Sequence, residues 1–344
     1  MGIEMRVAVL GGGGVVGRAV VERLEARGIA WVDVGRDDPT VPGAAEVVLC
    51  AAGGDLDTTR ELVTAAVRDG TDVVDVDHEV GYLHWLATRV GPTARDTGAR
   101  ILGGAGLRWA VGDLLSALAA EPVPDPQEVH VAYTSGGSRR HLTPGERRAA
   151  VAGLALQGSA LEAGRVEPEP PGGRRRLAWF PRPVGPSHAA AVPGGEALTV
   201  PRHLRSVRTV HTYQAMPGWR AELLQARSSV ASSATGRRWL QRRLARQRRV
   251  TGAAAWADEP WGCVAEVAGD RRLGRAWAYG RAPVGISAEI AVELALRLSA
   301  TTRERLAGGA VAPSEVAVPG ALLDAVADRS GLRWSRSSTI LEGR

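Results

Sequence analysis

The amino-acid sequence predicts an α/β fold built on a Rossmann-type, doubly wound parallel sheet, and three observations predict it. A short apolar run, Val7–Leu10, leads into the glycine-rich stretch Gly11–Gly17 and then a segment where Val16, Val20 and Leu24 recur at helical spacing before Gly28. Apolar runs then alternate with helical patterns as far as Ala119, the order expected of parallel strands joined by crossover helices. The prolines of Glu121–Pro126 end that alternation, and the pattern beyond them changes.

A chain that turns from a strand into a helix beneath a pyrophosphate needs positive φ, a bare backbone and close helix packing, and a Cβ obstructs each. Two registers fit: Gly12, Gly14 and Gly17 as G-x-G-x-x-G, or Gly11, Gly14 and Gly17 as G-x-x-G-x-x-G. In either, the N–H groups at the helix start, around Val15, Val16 and Gly17, form an anion site.

Ile29–Val34 reads as a second strand ending at Gly35-Arg36-Asp37-Asp38. A carboxylate at that position holds the ribose hydroxyls of NAD, whereas an arginine accommodates the 2′-phosphate of NADP. Small Gly35 followed by Arg36 favours NADP, with Asp33 ranked below Arg36. Glu46–Cys50 is a third, buried strand, and the small residues Ala51, Ala52 and Gly53 after it let a cofactor ribose lie close to the backbone. A helix over about 55–69 is closed by Gly70. The fourth strand, Thr71–Glu79, ends in Asp77, His78 and Glu79, the first polar candidates near a nicotinamide because strand carboxyl ends line the ligand crevice. In the competing reading Asp77 or Glu79 merely caps the next helix. Two helices, one to about Val90 and one from near Pro92, precede the strand Ala99–Leu102 and a second glycine turn, Gly103–Gly106, that includes Gly104. Asp113 stands at the start of a helix, Leu114–Ala119.

Beyond Pro126, Gln127–Tyr133 alternates as a half-exposed strand, a helix is expected from Glu146 to about Gly164, and Phe180–Pro186, Val192–Glu196 and Val200–His203 read as short extended segments. Val207–Tyr213 is a strand, and Cys263–Ala268 with Leu273–Tyr279 forms a hairpin. Thr235–Arg249 is the most basic run, either a solvated helix face or a lid attracting an acidic partner such as a carrier protein or its phosphopantetheine arm. Ile286, Ile290, Leu294 and Leu298 mark a helix that is core or subunit interface, and Gly331–Trp334 closes the chain after a last helix to about Arg329.

The 344 residues carry a formal charge of +6 and include neither lysine nor asparagine. Schiff-base, P-loop lysine and Tyr-x-x-x-Lys chemistries are therefore excluded, the last of which removes a short-chain dehydrogenase. The arginine bias accompanies abundant Ala, Gly and Val, and no nucleic-acid module goes with it, so no nucleic-acid partner is expected. Cys50 and Cys263 are too few for a disulfide framework or a cysteine metal site, so no metal is expected. With neither a signal-peptide core nor a run of about 18 to 20 apolar residues, a soluble cytoplasmic protein without a membrane partner is expected.

In this order the motifs resemble the saccharopine dehydrogenase-like family of NADP-dependent reductases, which includes trans-acting enoyl reductases. The residues concerned are Gly11–Arg18, Gly35-Arg36, Ala51-Ala52-Gly53, Gly70–Glu79, Leu102–Gly106 with Gly112-Asp113, the late hairpin, Ala288–Leu298 and Gly309–Pro313. Cys50, where relatives often carry asparagine, and His78, near a position often small or hydroxylated, depart from the pattern. The resemblance implies an NADP-binding Rossmann domain over 1–122, an inserted α/β substrate and dimerisation domain over 123–285, and C-terminal helices over 286–344 returning to the first domain. It implies a homodimer that uses NADPH to deliver hydride to a C=N, C=C or C=O bond of a small-molecule substrate or a carrier- or CoA-linked biosynthetic intermediate. His78 is the first candidate for the proton that must follow, with Glu79, Tyr133 and His141 behind it; the neighbouring Arg139 and Arg140 suit a substrate carboxylate. An alternative from another class is a catalytically silent NADP-binding subunit or sensor.

Overall fold

Val7, Ala8, Val9 and Leu10 are wholly buried in β1 (Arg6–Leu10), an inner strand of a six-stranded parallel sheet in the computed structural model. The structure describes residues 6–35, 41, 43, 45–52, 56–77, 79–135, 158–231, 233–245 and 259–340. The chain divides into two units, residues 1–110 with 282–331 and residues 111–281 with 332–344.

In the first unit β1 lies between β2 (Ala30–Val34) and β3 (Val47–Cys50), followed outward by β4 (Asp72–Asp75), β5 (Arg100–Gly103) and the two-residue β14 (Gly309–Ala310). All the pairings are parallel. Burial on both faces explains why β3 and β1 read as continuous apolar runs instead of alternating. The chain visits β2 on one side of β1 and then crosses to β3 on the other, so the topological switch point falls between β1 and β3.

Helix α1 (Val15–Ala26) buries Gly17, Val20 and Leu24, and α2 (Leu56–Arg68) follows β3. The two helices expected around Val90 and Pro92 are one interrupted helix: α3 (Val80–Trp85) continues through a π-helical turn, Leu86–Val90, into α4 (Gly91–Thr97), which Gly98 ends with φ 79°. Late in the chain come α9 (Pro283–Ala300), α10 (Pro313–Val316) and α11 (Pro319–Ser330). Helix α9 carries the expected Ile286, Ile290, Leu294 and Leu298 in the core, and Arg23 and Arg27 of α1 pair with its buried Glu289 and Glu293. At the carboxyl end of α9, buried Arg100 pairs with Asp72 and donates to the carbonyls of Leu298 (2.7 Å) and Thr301 (2.5 Å), a cation placed where the helix dipole favours one.

The second unit begins with α5 (Ala110–Ala120), so the division falls ahead of the Glu121–Pro126 loop. Its Gly112 and Ala119 pack tightly on the sheet below, against Tyr133 and Gly274. That sheet is mixed: β6 (Glu128–Ser135) runs parallel to β11 (Thr209–Ala215), and its other pairings are antiparallel. Outward from β6 lie β12 (Trp261–Ala268), β13 (Arg272–Gly280) and β15 (Arg333–Ile340); outward from β11 lie β10 (Pro186–Ala191) and β9 (Arg175–Trp179). The hairpin of β7 (Gly158–Glu162) and β8 (Arg165–Glu169) joins through β7 to β11. The remaining helices are α6 (Glu196–His203), α7 (Gly218–Ala231) and α8 (Ala234–Ala245).

Three expectations are corrected. Residues 158–162, read as the end of a helix, form β7, because Ala163 and Gly164 turn the chain with positive φ into the β8 hairpin; residues 146–157 lie outside the described residues. Val200–His203 is helical, since Ala197 and Val200 recur on one buried face of α6. The closing residues extend into a full strand, β15, which pairs with β13 along its length.

Candidate functional site

Because the first sheet is parallel, the turns after β1, β3, β4 and β5 emerge at one edge, where Gly11, Gly17 and Gly104 leave no room for a Cβ. Gly11 has φ 84°, and a Cβ there would stand 2.7 Å from Cα of Ala52. Gly14 donates its N–H to the Gly11 carbonyl at 2.9 Å, and a Cβ on Gly17 would overlap that same carbonyl oxygen. Steric need thus falls on Gly11 and Gly17; a Cβ on Gly14 would stand 3.2 Å from the Gly11 carbonyl oxygen, and the space beside Gly13 is open. The side chain of Asp33 reaches the turn, with Oδ1 3.0 Å from the Cβ position of Gly12. Helix α1 starts at Val15 and Val16 with Gly14 as its N-cap and no side-chain cap, which leaves its amino end open to an anion. This cradle, bare where the turn after β1 meets Ala51 and Ala52 just beyond β3, fits a dinucleotide at the switch point.

Beside it, Asp75 ends β4 next to Cys50 in the β3 register, and the side chains of Cys50, Asp75 and Tyr82 are all buried. Tyr82 donates its hydroxyl to Asp75 Oδ2 at 2.7 Å, and the Asp77 N–H donates to Oδ1 at 2.8 Å. Burial pushes the Asp75 carboxyl up to about 7, with the Asp77 charge adding to the rise and the two hydrogen bonds opposing it. Burial likewise raises the Cys50 thiol and the Tyr82 phenol, so neither is an ionised nucleophile.

Glu79, expected as a proton carrier, caps α3: its carboxylate accepts from the Gly81 N–H at 3.1 Å, and burial raises its pKa. Its own N–H donates to Asp77 Oδ1 at 2.7 Å, so the backbone on both sides of position 78 is anchored. Gly104 takes φ 69° and gives room to the indole of Trp109, which is buried and itself left-handed at φ 68°. Arg36, Gly53, His78 and His141 lie outside the described residues.

Tyr133 belongs to the second unit, where its hydroxyl donates to Glu196 Oε1 at 2.6 Å while Thr212 donates to Oε2 at 2.7 Å. Burial pushes Glu196 up to about 7 against the pull of those two bonds, and Asp113 adds a smaller rise. Asp113, fully buried, meets His203 Nε2 at 2.9 Å. The sequence reading missed Asp75, Tyr82 and Glu196 as site candidates; an acid repeating every few residues along Asp72–Asp77 was the one local signal for the first. Among the described residues no group of three or more His, Cys, Asp or Glu is placed to hold a metal ion.

A parallel sheet with a glycine turn at its switch point, joined to a second unit on a mixed sheet, is a Rossmann-type architecture. Among solved structures, the chain is similar to apo saccharopine dehydrogenase (L-Glu forming) from Saccharomyces cerevisiae, with a TM-score of 0.59 and 12% identity over 97% of this chain and 100% of that one. Weaker likenesses include a meso-DAP dehydrogenase mutant from Clostridium tetani (TM-score 0.46, 12% identity, 91% of this chain and 96% of that one) and GenD2 of gentamicin A biosynthesis bound to NAD (0.40, 12%, 99% and 97%). No protein-family model and no curated protein sequence matches the chain.

Proposed function

We propose that the protein is a nicotinamide-dinucleotide-dependent reductase that transfers hydride to a C=N, C=C or C=O bond of a small-molecule or carrier-linked substrate. The observation that carries this reading is the cradle at the switch point, where Gly11 and Gly17 are required by close backbone approach, Gly14 caps α1 without a side chain and the helix opens toward an anion. In it the turn and the N–H groups of Val15, Val16 and Gly17 hold the pyrophosphate, and Ala51 and Ala52 accept the backbone-side ribose. The cofactor supplies the hydride; the chain's part is to bind, orient and protonate. His78, between anchored Asp77 and Glu79, is the proton donor of this reading. The buried Asp75–Tyr82 pair fixes the β4 turn and takes no part in contact with substrate. The name saccharopine dehydrogenase makes C=N the first bond class to test.

NADPH is the proposed cofactor, on the strength of Arg36. One observation favours NADH as a second reading: the Asp33 carboxylate stands against the glycine turn, where it would accept ribose hydroxyls and repel a 2′-phosphate. A titration of NADPH and NADH against wild type, Arg36→Ala and Asp33→Ala separates them. Preference for NADPH that collapses in Arg36→Ala supports the first, and preference for NADH that collapses in Asp33→Ala supports the second. Failure to bind either nucleotide refutes the reductase reading, and binding without turnover on imine, enoyl and carbonyl panels leaves a silent nucleotide-binding protein.

A further inference from the structure

Helix α7 carries two apolar stripes on opposite sides. Ala221 and Leu224 turn inward and pack with Ala190 and Met216, and Ala231 is buried on the same side. Trp219, Leu223 and Val230 share the other face at i, i+4 and i+11, and they are 62%, 41% and 45% exposed. Packing of the fold accounts for the first stripe and leaves the second without a role in it.

Charge surrounds that stripe. The Arg220 guanidinium lies 5.1 Å from the Trp219 ring centroid, and Arg227 is exposed beside Val230 on the helix surface. In α8, which packs on α7, Arg238, Trp239 and Arg242 are exposed as well. Over residues 218–245 six arginines face one glutamate, a net charge of +5 in a chain whose total is +6.

We propose that α7 and α8 dock on the surface of an anionic lipid bilayer, with Trp219, Leu223 and Val230 at the acyl-chain boundary and the arginines at the level of the phosphates. An exposed stripe of aliphatic and indole side chains along a helix needs a matching groove on a protein partner, whereas a bilayer receives it without one. Leu223 and Val230 have no ring to stack on a base, which disfavours a nucleic acid. The concentration of positive charge on these two helices supplies the complement to an acidic headgroup layer. No helix among the described residues is long and apolar enough to cross a membrane, and an interfacial helix lies in the plane and does not have to.

The test is flotation of the full chain with vesicles of phosphatidylcholine alone and of phosphatidylcholine mixed with phosphatidylglycerol. Binding is expected to the mixed vesicles only, and to weaken as NaCl rises from about 0.1 to 0.5 M. Trp219→Ser/Leu223→Ser should lower partitioning by about tenfold or more, and Arg227→Gln/Arg238→Gln should lower it while flattening the salt dependence. Thermal unfolding and far-UV circular dichroism should be unchanged, because these side chains are exposed. Absence of flotation with the mixed vesicles overturns the proposal, as does flotation that the α7 double variant leaves unaltered. Binding to an oligonucleotide or an acidic protein in place of vesicles overturns it too.

Discussion

Asp75→Asn replaces a buried carboxyl by its neutral isostere, and the effect on stability should depend strongly on pH. Asp75 is 1% exposed, and burial lifts it from an ordinary 3.8 to about 7. A carboxyl whose folded pKa exceeds its unfolded one keeps its proton longer in the folded state. Between about pH 4 and pH 7 the native protein therefore binds more protons than the unfolded chain, and stability falls as pH rises through that window. A shift of about three units, at about 1.4 kcal/mol each, withdraws roughly 4 kcal/mol of stability by pH 8. The asparagine variant does not lose its share, because it never ionises. Below about pH 4, where the wild-type carboxyl is neutral in both states, it should be the less stable protein by about 1 kcal/mol, since its single oxygen serves both Tyr82 and the Asp77 N–H less well. By pH 8 the order should reverse. The assay is urea unfolding of both proteins from pH 4.5 to 8.5, followed as the difference between them. Glu196, also pushed to about 7, lowers both proteins alike and cancels in that difference. A difference that stays constant within about 1 kcal/mol across the range refutes the claim that this carboxyl is neutral in the folded protein below pH 7.

Two further outcomes are expected. Arg100→Met leaves Asp72 buried with only the more exposed Arg303 beside it and should cost about 3 kcal/mol by urea unfolding, much of which Asp72→Leu in the same chain should restore; an Arg100→Met protein of wild-type stability would contradict the pairing. His78→Ala should lower turnover about a hundredfold or more while the dissociation constant for the preferred nucleotide stays within about twofold, and unchanged turnover would remove His78 from the mechanism.

The first unit was legible in the sequence because its strands are buried on both faces and its turns demand glycine. Val7–Leu10, Gly11–Gly17 and the Val20–Leu24 spacing each have one reasonable structural meaning, and together they fix a strand, a turn and a helix. Legibility failed where structure depends on partners distant in the chain. Arg333–Ile340 is polar and largely exposed, with no apolar alternation, and is a strand because β13 offers it a free ladder. The β7–β8 hairpin hid inside an alanine-rich stretch whose spacing also suits a helix. In the site, the glycines were found by backbone geometry alone, but the Tyr82–Asp75 bond joins a helix to a strand and leaves no local pattern. Tyr133 is a proton-donor candidate by residue type, and its commitment to Glu196 is a contact sixty-three positions away that the sequence does not show.

The pairing of α1 with α9 sets an order of events during synthesis. Arg23 and Arg27 leave the ribosome early, yet their partners Glu289 and Glu293 follow more than 260 residues later. At about 5 to 20 residues per second that interval is roughly 13 to 50 s. Throughout it the nascent first unit lacks α9 and β14, and the apolar sides of β3 and β4 that α9 covers stay open to water or to a chaperone. The second unit's strands, apart from β15, are all translated before the first unit can close, so a stop codon between the end of β13 and residue 283 would release a chain with a nearly complete second sheet and a first sheet whose α9-covered face stayed bare.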